Sequence, residues 1–136
     1  MKKIWLVIAL LTVTAAAHAQ THQRFKSTTF SSREKSAYGW GAWSTPVSVD
    51  HIVTFNHNTK RIEVNASTIH AYNYTTSQTR TGASGRKAVE YSCKDNDGIN
   101  CVVRLIYPAP GEYSDTIEFN VEYSNYTYSL KVKQIN

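Results

Sequence analysis

The sequence is poor in cysteine. Two residues of this type in 136 allow at most one intramolecular bridge, which excludes a disulfide-dense scaffold. Leucine and alanine are scarce too. Residues 20–136 hold Leu 2 and Ala 7, against Val 9, Ile 7, Tyr 9, Phe 4, Trp 2 and Thr 13. That balance disfavours helices, and no segment sustains apolar residues at i, i+3, i+4 and i+7. No block of five or six like charges occurs, which leaves nucleic-acid binding without support. Beyond residues 4–13 no run is long and apolar, and that run of ten is too short to span a bilayer as a helix. There is no internal repeat and no low-complexity tract.

The run of residues 4–13 has another use. Lys2 and Lys3 precede it, and Ala17-His18-Ala19 follows as a small-residue cleavage site. Together these read as a secretory signal peptide over residues 1–19. Its removal takes the formal charge from +5 to +3. Export to the periplasm or the medium of a Gram-negative bacterium follows, with no transmembrane segment after cleavage. Residues 20–37, rich in Ser, Thr, Lys and Arg, read as a flexible leader or an edge strand at 25–30. Residues 38–136 read as a single β domain.

Period-two alternation runs through that domain. Ile117, Phe119, Val121 and Tyr123 alternate with polar residues, as do Tyr126, Tyr128, Leu130 and Val132. A two-residue loop at Ser124-Asn125 pairs Tyr123 with Tyr126, Val121 with Tyr128, Phe119 with Leu130 and Ile117 with Val132. The same register sets Glu118 opposite Lys131, so a one-residue slip would break both faces. Asp95-Asn96-Asp97-Gly98 suits a type I turn followed by a left-handed glycine. It places Cys93 opposite Cys101, Tyr91 opposite Val103, Val89 opposite Leu105 and Glu90 opposite Arg104. In an oxidising compartment the facing cysteines predict a hairpin disulfide. A third hairpin turns at residues 57–60 and pairs Phe55 with Ile62 and Val53 with Val64. Residues 69–77 form another strand, and 79–87 and 108–111 are loops. The expectation is an all-β antiparallel meander of about seven or eight strands, either a small calycin-like barrel or a sandwich.

Catalytic patterns are weak. His51, His57 and His70 show neither H-x-x-x-H nor H-x-H spacing, and C-x7-C is not a redox C-x-x-C. No G-x-S-x-G elbow occurs. The calcium-loop pattern fails at Ile99. No catalytic residue, metal or cofactor is assigned. The aromatics remain: Trp40 and Trp43 beside Tyr38, with Tyr72 and Tyr74, are candidate binding residues for a protein, a glycan or a small apolar ligand. Against this, the two tryptophans would serve equally to plug one end of the β core.

Trp43, the strand 47–55, the strand 61–64, Tyr91-Ser92-Cys93-Lys94-Asp95-Asn96-Asp97-Gly98 with Cys101, Arg104-Leu105, and the final Tyr-rich hairpin resemble small exported all-β proteins common in Bacteroidetes. The resemblance covers residues 40–135. It implies fold and compartment and carries over no catalytic residue. The functional expectation is an exported, non-enzymatic binding or interaction module. The alternatives are a small-ligand carrier with a calycin-like barrel, and a small hydrolase using His51 or His70.

Overall fold

A computed structural model describes residues 22–135. The predicted signal peptide lies outside the described residues. Among the described residues ten strands follow in chain order: β1 (His22–Ser36), β2 (Gly39–Trp40), β3 (Val47–Ser48), β4 (Ile52–Asn56), β5 (Arg61–Asn65), β6 (Ile69–Thr81), β7 (Lys87–Asp95), β8 (Asn100–Ile106), β9 (Ile117–Glu122) and β10 (Tyr126–Gln134). From β4 to β10 each strand pairs antiparallel with the next, and β1 pairs with both β4 and β10. Eight strands therefore close into an antiparallel barrel, and short β2 and β3 attach to β1 as two extra strands. Closure removes the sheet edges that an open meander would expose. The sandwich alternative is thereby set aside.

The three predicted hairpins have their predicted registers. Val53 faces Val64 and Phe55 faces Ile62. Tyr91 faces Val103, Val89 faces Leu105 and Glu90 faces Arg104. Ile117, Phe119 and Val121 face Val132, Leu130 and Tyr128. On the outer wall Glu118 meets Lys131 at 3.2 Å, and Arg104 bridges Glu90 at 3.5 Å and Glu122 at 2.6 Å. Gly98 takes φ 77°, a left-handed value that suits glycine, and its N–H donates to the Asp95 carbonyl at 3.1 Å. Strand β6 runs on to Thr81, so 79–81 belong to a strand and only 82–86 form the loop.

Two further expectations need correction. Residues 22–36 are neither a flexible leader nor an edge. They form the strand that closes the barrel, with β10 on one side and β4 on the other, and Phe25 and Ser27 are buried. A bulge between Ser27 and Thr29 resets its register. Past that bulge, residues 41–51 continue the pairing where β4 stops. Gly41 N donates to Glu34 O at 2.8 Å, Ser44 N to Ser32 O at 2.7 Å and Val49 N to Thr28 O at 3.1 Å. A Cβ at Gly41 would stand 3.2 Å from that Glu34 carbonyl, which explains a glycine there.

The second correction concerns the predicted disulfide. Cys93 and Cys101 face each other in the ladder, as expected, yet both are free buried thiols. Asp95 N donates to Ile99 O, and Tyr107 N to Lys87 O. Hydrogen-bonded pairs therefore recur at every second residue between them, and Cys93–Cys101 is one. Such pairs hold their Cβ atoms toward ~5.5 Å, wider than the ~3.5–4.5 Å a disulfide takes. Cys93 Sγ donates instead to the Tyr91 carbonyl at 3.4 Å. Burial, with Cys101 beside it, pushes the Cys93 thiol up to about 12, and burial, with Asp95 nearby, pushes Cys101 up to about 11. Both sulfurs therefore stay protonated and unreactive at neutral pH.

The inward positions build an uneven core. Toward the end of the barrel that carries the 57–60 turn, aromatic rings fill the lumen. Phe55 touches the rings of Phe25, Tyr91, Phe119 and His57, with centroids 5.6, 5.4, 6.1 and 5.9 Å away. Tyr74 closes on Tyr91 at 4.9 Å. The opposite end is not filled.

Candidate functional site: a tyrosine-rimmed cup

At that opposite end the barrel opens into a cavity of about 360 Å³. The strand directions put residues 37–51, 66–68, 96–99 and 123–125 at this mouth. Phe30, Val64 and Leu130 form an apolar floor, and Ala66 lies at the side. Tyr72, Tyr123, Tyr126 and Tyr128 supply the wall, and His51 and His70 complete it. Alternation explains the wall. Tyr126 and Tyr128 share the inward parity of Leu130 and Val132 on β10, and Tyr72 shares that of Tyr74 on β6.

The hydroxyls form an ordered set. Tyr123 Oη donates to Asp95 Oδ2 at 2.8 Å, and Tyr72 and Tyr128 share a hydrogen bond of 2.5 Å. Burial pushes the Tyr72 phenol up to about 12. Burial likewise raises Tyr123 and Tyr128. All three therefore stay neutral. Asp95 sits at the end of β7, where its Oδ1 accepts from Asp97 N and Ile99 N at 2.9 Å each. Burial opposes its ionisation, but these backbone bonds and the Tyr123 hydroxyl outweigh that and hold its carboxyl below the usual range. His51 is fixed through its backbone: its N–H donates to Ser27 Oγ at 2.7 Å, and Ser27 Oγ donates to the His51 carbonyl at 3.0 Å. His70 Nε2 meets Thr68 Oγ1 at 3.3 Å.

The four candidate binding residues separate into three places. Tyr72 lies in the cup. Tyr74 lies at the opposite end, where its hydroxyl meets His57 Nδ1 at 2.9 Å. Trp40 and Trp43 neither plug the barrel nor line the cup. They sandwich the Arg33 guanidinium at 4.9 and 4.6 Å, and Lys35 lies 5.6 Å from the Trp40 ring. Arg33 faces outward on β1, opposite Thr127, so this stack covers the outer wall. Trp43 stays 42% exposed. Tyr123, Tyr126 and Tyr128 were legible only as strand residues. The hairpin register already sets these three together, but their meeting with Tyr72 needs barrel closure, which joins β10 to β1 and cannot be read from local alternation.

No protein-family model matches this chain, and no curated protein or solved structure matches it either. Among the described residues no group of three His, Cys, Asp or Glu side chains could hold a metal ion, and no helix is long and apolar enough to cross a membrane. Fold and site together define a class: a closed eight-stranded antiparallel barrel with a cup at one end.

Proposed function

We propose that this is an exported small-ligand-binding protein whose site is the tyrosine-rimmed cup. The observation that carries the proposal is the cup itself, about 360 Å³ at the mouth of a closed barrel with an apolar floor and convergent hydroxyls. Ligand sites commonly occupy ~300–1,000 Å³, with apolar walls and a few placed polar groups, and barrel mouths are a recurrent location. Export enters the proposal from residues 1–19 and from the resemblance to exported all-β proteins. An interaction module acting through Trp40 and Trp43 is the second reading, favoured by the exposure of Trp43 and of Tyr38. It ranks second because both indoles already stack on Arg33. Hydrolysis has less support. Among the described residues no carboxylate accepts a hydrogen bond from His51 or His70.

The test is a fragment screen by ligand-observed NMR on the wild type and on Ala66→Trp. An indole at position 66 would occupy the cup from its side. Fragments should bind the wild type, shift Val64 and Leu130 resonances, and lose binding in a variant with an unchanged melting temperature. Binding that survives Ala66→Trp, or that maps to Trp40 and Trp43, would move the site out of the cup.

A further inference from the structure

We propose that the cup selects an organic cation, namely an alkylammonium group, over neutral or anionic ligands. This rests on the cup being the ligand site. The first support is its lining. Five aromatic rings, those of Phe30, Tyr72, Tyr123, Tyr126 and Tyr128, face the cavity beside the imidazoles of His51 and His70, and no lysine or arginine lines it. Aromatic walls of this kind hold ammonium groups through the negative potential of their ring faces.

The second support is charge placement. The chain is basic overall, yet its mouth is not. Residues 37–51, 66–68, 96–99 and 123–125 contain Asp50 and Asp97 and no Lys or Arg. The loops at the other end hold Lys60 and Arg86 beside Glu112 and Asp115. Parity extends the contrast along the strands. Glu34 follows Phe30 on the inward side of β1, and Asp95 follows Tyr91 and Cys93 on the inward side of β7. Arg33, Lys35 and Lys94 take the outward positions, and Lys26 reaches Asp50 at 3.6 Å from the outer wall. No lysine or arginine lines the cup to pair with an entering anion, while Asp95 stands behind the wall, bonded to the Tyr123 hydroxyl.

The third support is proton bookkeeping among the hydroxyls. The Tyr123 proton is committed to Asp95, so its oxygen offers only lone pairs. Tyr72 and Tyr128 spend one proton on each other. Among the four phenols, lone pairs thus outnumber the free protons, which are that of Tyr126 and one of the Tyr72–Tyr128 pair, while His51 and His70 each bring a ring N–H. That suits a guest with positive charge and no demand for donated hydrogen bonds.

Choline and its uncharged carbon isostere 3,3-dimethyl-1-butanol separate the possibilities. Each is titrated into the full protein at neutral pH and low salt, with Val64, Ala66 and Leu130 methyl shifts as the readout. Choline should bind about tenfold tighter than the isostere. Asp95→Asn keeps an oxygen for the Asp97 and Ile99 amides while removing the charge, and it should weaken choline several-fold and leave the isostere unchanged. Glu34→Gln, on the exposed rim, gives the same comparison should Asp95→Asn fail to fold. An isostere that binds as tightly as choline overturns the cation selectivity and leaves the cup as a ligand site. Silence from both probes sinks the cation and counts against the cup as well. Choline affinity indifferent to the loss of the carboxylate charge removes the electrostatic basis and overturns the proposal.

Discussion

His57 shows how much a single side chain can settle. Its Nε2 lies 2.9 Å from Gln23 Oε1, and its Nδ1 lies 2.9 Å from the Tyr74 hydroxyl. The Gln23 oxygen can only accept, so Nε2 carries the proton and Nδ1 accepts from Tyr74. The ring is therefore held neutral between β1, the 57–60 turn and β6. Burial, and then the nearby His22, lower its pKa from 6.5. Lowering means that the unfolded chain binds this proton more readily than the folded one. Stability is then fully present above about pH 6.5 and falls as the pH drops from there toward the depressed folded value. Urea midpoints measured from pH 7.5 to 5 should decline in the wild type and decline less in His57→Gln. An equal slope in both would show that His57 is not the linked group. From sequence His57 was only a turn histidine, because its partners are 34 and 17 residues away. The cysteines show the same boundary. Their register was legible from the turn, but whether they bond depends on which of two alternating ladder sites they occupy.

Among the elements, β1 carries the fold and was the least legible. The hairpins announce themselves because turn, inner face and outer face agree on one register. β1 gives no such agreement. Its inward positions include Ser27 and Ser32 as well as Phe25 and Phe30, and its partner β10 is the last strand of the chain. Its anchor at the bulge is Ser27, 1% exposed, which exchanges side-chain hydrogen bonds with both backbone groups of His51. Ser27→Ala removes the acceptor for the His51 N–H in a closed setting. The expected loss is about 1–2 kcal/mol in urea unfolding, larger than for an exposed serine. Faster amide exchange at His51 should accompany it, because that residue tethers the start of β4 to the closing strand and lines the cup. A loss no greater than that of Ser67→Ala, an exposed turn position, would show that the clasp contributes little.

Across the whole molecule, the barrel is asymmetric along its axis. One end is a close cluster of rings around Phe55, and the other is an open cup whose wall is held by hydroxyl bonds and by the stacking of Phe30 on Tyr128. Composition revealed the abundance of tyrosine but not this segregation, which follows from where each strand crosses the barrel. The asymmetry predicts unequal responses to truncation. Phe55 is fully buried, so Phe55→Ala opens a new cavity among rings that hold one another in place. The expected cost is ~3–5 kcal/mol, a large part of the ~5–15 kcal/mol that holds a domain together. Val64 is also buried, but it borders space that is already open. Val64→Ala should then cost little beyond the transfer of two methyl groups, about 1.5 kcal/mol. Paired urea unfolding curves give both values. Equal costs would mean that the mouth is packed as tightly as the ring cluster, with no compliant wall to adjust to a guest. Unequal costs, with Phe55 dominant, fit a rigid base that keeps the barrel closed beneath an open cup.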